Sequence, residues 1–254
     1  MGHVQVGAVR TWYAEYGDGD PLVLLHPGGA DSRAFEPNIE ALASAFHVFT
    51  PDRRGHGRTP DVDGPISYGL MAQDTAAFIE SVVGGPAHVV GCSDGSVVGL
   101  HTALARPDLV RQVVLVAGVF HHDGWLPGAI YLDEESARFL RAYYGEVSPD
   151  GVEHFDVVQA KLDVMHEAEP TLTAADLATL TARTLVMVGD DDEVRLEHAI
   201  ELYRGLPAGE LAVVPGTSHG LMVEKSDLVN GLILDFLTKP PTPTLAPVRR
   251  AGSL

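Results

Sequence analysis

Residues 89–95 constrain the fold of this chain more than any other stretch. They read Val-Val-Gly-Cys-Ser-Asp-Gly, so a short apolar run ends in a Gly-x-Ser-x-Gly pattern. This pattern is typical of a strand that turns sharply into a helix, with the serine held in a strained conformation above the sheet. Gly91 and Gly95 suit such a turn, because strand and helix approach too closely for side chains. The flanking residues have strand and helix patterns, which favours a nucleophilic Ser93 over a turn with a capping serine.

Apolar runs and helix-like segments alternate on both sides of this turn. Residues 22–25 read Leu-Val-Leu-Leu, as expected of a strand buried on both faces of a parallel sheet. The predicted strands cover residues 4–9, 11–15, 22–25, 47–50, 86–91, 113–117, 184–188 and 211–214. The predicted helices of the core cover residues 31–45, 67–83, 93–106, 195–206 and 226–237. The alternation predicts an α/β fold, with a mostly parallel twisted sheet and flanking helices.

One long segment interrupts this alternation. Residues 121–180 contain no strand pattern and only helical patches. A segment of this length usually has a function, so we expect a helical cap over the site, with residues 1–120 and 181–238 as the core. Residues 239–254 are rich in Pro and Thr without periodicity, which predicts a disordered tail.

Charge and cysteine content narrow the function classes. The net charge of −18 repels phosphate backbones and anionic lipids, so neither nucleic acid nor a membrane is an expected partner. The single cysteine, Cys92, excludes an intramolecular disulfide, and no Cys/His set has zinc-ligand spacing. No signal-peptide or membrane-spanning pattern is present, so we expect a cytoplasmic protein, either a monomer or a homodimer.

Two loops downstream of Ser93 carry the residue types that an activated serine needs. A serine hydroxyl needs a base to take its proton, and the base needs an orienting acid. Residues 184–188 are followed by Gly-Asp-Asp-Asp-Glu-Val, and residues 211–214 are followed by Pro-Gly-Thr-Ser-His-Gly, which includes His219. Both loops follow strands at the same sheet edge as Ser93. The three groups are far apart in the sequence, but at this edge the fold can bring them together.

With these motifs, residues 22–237 resemble the α/β-hydrolase-fold serine hydrolases. The His-Pro-Gly-Gly loop at residues 26–29 and the Asp-Arg-Arg-Gly-His-Gly-Arg segment at residues 52–58 come in the family's order, as do the serine, acid and histidine loops. The Ser-Asp-Gly turn is also similar to that of valacyclovir hydrolase, also called biphenyl hydrolase-like protein.

The resemblance implies a triad of Ser93 as nucleophile, Asp192 as orienting acid and His219 as general base. The family's acid comes three residues after the glycine that ends its strand, which favours Asp192 over the two aspartates before it. Asp123 is the alternative acid, because some members keep theirs after the strand that corresponds to residues 113–117.

The resemblance also implies an oxyanion hole made of two backbone N–H groups. One belongs to Asp94, the residue after the nucleophile. The other comes from the loop after His26, where Gly28 is the best match and Gly29 is the alternative. Pro27 replaces the glycine that is usual there, and proline has no N–H to donate, so the shape of this loop departs from the family pattern.

The side chain of Asp94 has two interpretations. The resemblance to valacyclovir hydrolase suggests that its carboxylate contacts an ammonium group of the substrate. Alternatively, it only stabilises the N-terminus of the following helix, where acids are favourable in any case, and we favour this second interpretation. Cys92 is predicted to fill the core, because alternation along the strand directs its side chain away from that of Ser93.

The cap and the histidine loop supply candidate substrate contacts. Aromatic and apolar side chains there would form a pocket for the acyl or alcohol group. The candidates are His122, Trp125, Tyr131, Tyr144, Leu221 and Met222. We expect no metal at the adjacent histidines 121 and 122, because such pairs rarely reach one ion without further ligands.

Taken together, the motifs predict a serine hydrolase without metal or cofactor that cleaves a small acyl substrate, a carboxylic ester or lactone, through an acyl-enzyme. In the family the same triad also cleaves amides, thioesters and carbon–carbon bonds, or performs perhydrolysis. A non-hydrolytic lyase or cyclase and a ligand receptor are alternatives of other classes. A complete triad argues against the receptor, which has no need of all three residues.

Overall fold

An eight-stranded sheet forms the centre of the fold in the computed structural model, which describes residues 1–247. The strands are β1 (Gly2–Val6), β2 (Val9–Tyr16), β3 (Asp20–Leu25), β4 (Phe46–Pro51), β5 (Ala87–Cys92), β6 (Val110–Val116), β7 (Arg183–Gly189) and β8 (Gly209–Val214). Their order in the sheet is β1-β2-β4-β3-β5-β6-β7-β8. The pairs β1–β2 and β2–β4 are antiparallel and the remaining pairs are parallel. The predicted α/β class with a mostly parallel sheet is confirmed.

Helices cover both faces of the sheet. They are α1 (Glu36–Ala43), α2 (Tyr68–Phe78), α3 (Asp94–Ala105), α4 (Glu134–Gly145), α5 (Phe155–Ala168), α6 (Ala174–Leu177), α7 (Leu196–Gly205), α8 (Leu221–Glu224) and α9 (Ser226–Thr238). Helices α2 and α3 pack together on one side of the sheet, and α1 packs on α9. None of the helices within residues 1–247 is long and apolar enough to cross a membrane.

Strand β3 shows why the sheet is covered on both sides. Val23 and Leu25 belong to one buried apolar cluster, whereas Leu22 and Leu24 belong to a second cluster. Successive side chains of a strand point to opposite faces, so a continuous apolar run needs a core on each side. The two clusters are these two cores.

Residues 121–180 lie between β6 and β7 and contain α4, α5 and α6. The start of this segment lies beside residue 171, because His121 and Thr171 form an isolated antiparallel bridge. The segment also contacts the core through Arg33, whose Nη2 donates to the carbonyl oxygen of Tyr143 at 2.6 Å. These contacts hold the segment above the carboxyl ends of the strands.

The structure differs from the sequence prediction in local details. The predicted helix at residues 31–45 begins as a 3-10 turn, Ser32–Phe35, before α1. Pro37 lies in the first turn of α1. Backbone N–H groups in the first turn of a helix have no acceptor within the helix, so the absence of an N–H in proline costs nothing there. Of the predicted disordered tail, residues 239–247 contain neither helix nor strand, and residues 248–254 lie outside the described residues.

Candidate active site

Ser93 lies between the end of β5 and the start of α3 in a strained backbone conformation. Its φ of 54° and ψ of −121° are rare for a residue with a side chain. Its N–H donates to the carbonyl oxygen of Val116 at 2.8 Å, which helps to hold the turn. A Cβ on Gly91 would lie 2.1 Å from the carbonyl oxygen of Gly95, and one on Gly95 would lie 1.9 Å from that of Leu25. Both glycines are therefore required where strand and helix meet.

A chain of hydrogen bonds joins Ser93, His219 and Asp192. Ser93 Oγ lies 2.9 Å from His219 Nε2, and His219 Nδ1 lies 2.8 Å from Asp192 Oδ1. The carboxylate of Asp192 also accepts hydrogen bonds from the N–H groups of Gly189 at 3.0 Å and Val194 at 3.1 Å. Those two bonds fix the acid at the end of β7, and the acid in turn orients the imidazole.

The charges around His219 raise its pKa, which favours proton uptake by the imidazole. Burial raises the pKa of Asp192, but His219 and the two backbone N–H groups outweigh this effect, so the pKa lies below its ordinary value. Burial lowers the pKa of His219, but the hydrogen bond and charge of Asp192 outweigh it, so the pKa lies above its ordinary value of 6.5. Glu193, whose Oε2 lies 3.9 Å from His219 Nε2, adds to this rise. The imidazole can therefore take a proton from Ser93 while Asp192 stays ionised.

Asp123, the alternative acid, lies elsewhere. Its side chain is 72% exposed, and its carboxylate approaches His121 Nδ1 at 3.4 Å and His122 Nδ1 at 3.5 Å. The structure thus brings Asp192, and not Asp123, to His219. Among the described residues, His121, His122 and Asp123 form a group in which one ring nitrogen of each histidine and a carboxylate oxygen lie within 4.8 Å of one another. Atoms this close could bind one metal ion.

The loop after β3 is held by a buried histidine. The N–H of Arg53 donates to His26 Nε2 at 3.0 Å, so the proton of the ring lies on Nδ1, which donates to the carbonyl oxygen of Pro27 at 2.8 Å. Burial, followed by the charge of Arg53, lowers the pKa of His26 well below its ordinary value, so the ring is neutral. The loop places Gly28 and Gly29 in the wall of the same cavity as Ser93.

The carboxylate of Asp94 is engaged inside the protein rather than open to solvent. The residue is 2% exposed. Tyr68 Oη donates to its Oδ1 at 2.7 Å, and His166 Nε2 lies 2.9 Å from Oδ1 and 3.1 Å from Oδ2. Asp94 does occupy the first turn of α3, but its partners come from α2 and from α5 of the cap. No local pattern in the sequence singles out Tyr68 or His166.

Ser93, His219 and the glycine loop open into a cavity of about 710 Å³ between the core and residues 121–180, the segment predicted to be a cap. Its wall is mostly apolar, which suits a carbon chain or ring. The apolar side chains from the cap segment are Trp125, Ala129, Ile130, Leu132, Phe139, Leu140 and Leu162. The polar side chains from this segment are Glu135, Ser136, Gln159 and His166, and Asp94 and Glu193 of the core also line the cavity.

Of the six predicted substrate contacts, Trp125 lines this cavity, and its ring lies edge-on to His219 at 5.8 Å. The remaining candidates lie elsewhere, because the sequence does not reveal where the loops, α4 and α8 direct their side chains. Tyr144 packs on Phe155 inside the cap, Tyr131 is 56% exposed, Leu221 and Met222 are buried in the second core cluster, and His122 faces Asp123.

Comparisons with known proteins agree with this fold. The profile described as "Alpha/beta hydrolase family" matches residues 22–232. A protein of Azorhizobium caulinodans named as a carbamate hydrolase is 27% identical over 93% of this chain and 98% of its own. A 2-hydroxy-6-oxo-6-phenylhexa-2,4-dienoate hydrolase of Burkholderia cepacia is 25% identical over 90% and 91% of the two chains. The enol-lactonase structure from Burkholderia xenovorans LB400 superposes with a TM-score of 0.76 at 19% identity, covering 93% of this chain and 100% of that one.

Proposed function

The chain belongs to the alpha/beta hydrolase family, and on that premise we propose that it is a serine hydrolase that cleaves a carboxylic ester or lactone through an acyl-enzyme. One observation supports this proposal most strongly. The hydrogen bonds from Ser93 Oγ to His219 Nε2 and from His219 Nδ1 to Asp192 are already formed at the wall of an apolar cavity. A serine hydroxyl can form an acyl-enzyme only when an adjacent base activates it, as His219 is placed to do.

In the first half of the reaction, Ser93 Oγ attacks the carbonyl carbon of the substrate while His219 Nε2 takes the hydroxyl proton. The carbonyl oxygen becomes an oxyanion, which accepts hydrogen bonds from the N–H groups of Gly28 and Asp94. When the ester C–O bond breaks, the leaving alkoxide receives the proton that His219 took from Ser93 and departs as an alcohol. Asp192 stays ionised and holds Nδ1 in the protonated tautomer.

In the second half, water takes the place of the alcohol. His219 removes a proton from the water, whose oxygen attacks the acyl carbon, and the same N–H groups donate to the second oxyanion. Ser93 leaves with the proton from His219, which releases the carboxylic acid and regenerates the enzyme. For a lactone, the alcohol and the acid are two ends of one product.

The cavity supports an uncharged, predominantly apolar substrate of small or medium size. Its volume of about 710 Å³ falls within the range of small-molecule sites. Trp125 and Phe139 offer flat apolar surface to an acyl chain or a ring. The carboxylates of Glu135 and Glu193 line the same cavity and would repel a free carboxylate on the substrate.

A carbamate or amide is the second candidate substrate. The observation that favours it is the relative named as a carbamate hydrolase, which matches this chain over almost its whole length. The same nucleophile and oxyanion hole serve that chemistry, and the nitrogen leaving group would take its proton from His219. Matched ester, lactone, carbamate and amide substrates with one common acyl group would separate the two candidates.

Treatment with a fluorophosphonate should give a single covalent adduct on Ser93. The reason is that a serine activated by His219 attacks phosphorus far faster than ordinary hydroxyls do. Intact-mass and peptide mass spectrometry would locate the adduct. The His219→Ala variant should react much more slowly and serves as the control. A well-folded protein that forms no adduct and does not cleave p-nitrophenyl acetate would contradict the proposal.

The rate constant kcat/KM should fall on the acid side with a midpoint above pH 6.5. The pKa of His219 is raised, and the protonated ring cannot take the proton of Ser93, so activity is lost as the pH falls through that raised value. The Glu193→Gln variant removes a charge that raises this pKa, so its midpoint should move to lower pH. Initial rates between about pH 5 and pH 9 would measure both. A wild-type midpoint well below 6.5 would be inconsistent with this assignment.

A further inference from the structure

The carboxylate of Asp94 lies beside the two groups that would hold the oxyanion. In the proposed mechanism its own N–H is one of the two donors, and the other belongs to Gly28. A Cβ built on Gly28 would lie 2.2 Å from Asp94 Oδ2, so the carboxylate is packed directly against this glycine. Asp94 lines the wall of the cavity but is only 2% exposed, so water screens its charge weakly.

An ionised carboxylate at this place opposes catalysis unless it is neutralised. The oxyanion of the transition state is itself negative, and like charges a few ångströms apart repel strongly in a buried site. Asp94 nevertheless remains ionised. Burial raises its pKa, but the charge and hydrogen bond of His166, followed by Arg53 and Tyr68, bring the pKa well below its ordinary value.

His166 is the group that forms an ion pair with the carboxylate of Asp94. It lies in the last turns of α5, in the cap, and its Nε2 is within hydrogen-bond distance of both oxygens of Asp94. Glu169, just after α5, accepts a hydrogen bond from the N–H of Tyr68 at 3.0 Å, while Tyr68 Oη donates to Asp94. The end of α5 is thus fastened to the start of α2 and, through Asp94, to the start of α3.

We propose that His166 is a positioning residue of the oxyanion hole: as an imidazolium it neutralises and fixes the carboxylate of Asp94, so that the N–H groups of Asp94 and Gly28 present a net positive field to the oxyanion. This inference rests on the proposed hydrolase function. It also makes the cap part of the catalytic apparatus, because a displaced α5 would remove the compensating charge.

The charge on His166 should depend on pH on the alkaline side. Burial lowers its pKa, but Asp94 outweighs this effect, with a smaller contribution from Asp163 on its own helix, and the pKa lies above 6.5. The positive charge of the buried Arg53 opposes the rise. His166 is fully protonated well below this raised pKa and loses its proton as the pH rises through it. We therefore expect kcat to fall over that pH range.

The test distinguishes the effect of the positive charge of His166 from the effect of its hydrogen bond, which attaches α5 to Asp94. His166→Gln keeps a side chain that can donate to Asp94 but removes the positive charge, and it should lower kcat on the order of 10- to 100-fold with little change in KM. The double variant Asp94→Asn with His166→Gln restores neutrality with two amides and should recover most of the lost kcat. Initial rates with p-nitrophenyl butyrate and thermal unfolding would be measured for each.

Two results would overturn the inference. One is wild-type kcat in His166→Gln, and the other is a double variant no faster than His166→Gln. If His166→Gln does not fold, Asp94→Asn alone decides the matter, since its rate profile must lack the alkaline fall of kcat that the wild type shows. Wild-type turnover that depends on Ser93 keeps the hydrolase proposal intact in each of these cases, whereas an inactive wild type would remove that proposal first.

Discussion

Replacing Ser93 by alanine should lower kcat for a cleaved ester by at least about 10⁴-fold while leaving the fold intact. The substitution removes only Oγ, the atom that attacks the carbonyl carbon, and His219 then has no hydroxyl to deprotonate. The strained backbone of this turn stays in place, because it is held by the packing of Gly91 and Gly95 against the neighbouring backbone and not by the hydroxyl. We therefore expect a melting temperature close to that of the wild type.

Ser96→Ala is the matched control for this experiment. Ser96 is a buried serine three residues further along the chain, in α3, so the same chemical change is made next to the same turn without touching the nucleophile. Single-turnover and steady-state rates would be compared at equal protein concentration, with circular dichroism to check the fold. Residual activity of Ser93→Ala above about 1% of wild type would mean that another group performs the chemistry.

Replacing Asp192 by asparagine should lower kcat by about 10⁴-fold. An amide can donate a hydrogen bond to Nδ1 of His219, which favours the tautomer with the proton on Nε2, and that nitrogen can then no longer accept the proton of Ser93. The amide also loses the charge that raises the pKa of His219. The N–H groups of Gly189 and Val194 keep one good acceptor in place of two, so some stability is lost as well.

Asp123→Asn is the control that decides between the two candidate acids. Its carboxylate is exposed and contacts the histidines at positions 121 and 122 rather than His219, so we expect kcat within about twofold of wild type. The fluorophosphonate rate of Asp192→Asn should fall in parallel with its kcat, because both reactions need the same base. A large loss in Asp123→Asn with little loss in Asp192→Asn would exchange the two roles.

The sequence alone determined the parts of this protein that have local signals. Apolar runs such as residues 22–25 marked the parallel strands, because a strand buried on both faces cannot alternate with polar residues. Glycines at positions 91 and 95 marked the sharp turn, because no other residue fits where two backbones touch. Parallel strands share one sheet edge at their carboxyl ends, and this rule was sufficient to predict that Ser93 meets the acid and histidine loops.

Only the tertiary structure decided which side chains meet across those loops and the cap. The sequence did not reveal where the loops, α4 and α8 direct their side chains, so of six proposed substrate contacts Trp125 alone lines the cavity. The pairing of Asp94 with His166 joins residues 72 positions apart and has no spacing signal, because it depends on how α5 docks on the core. The physical reason is the same in both cases: local sequence sets the conformation of a segment, whereas the neighbours of its side chains are set by packing over the whole chain.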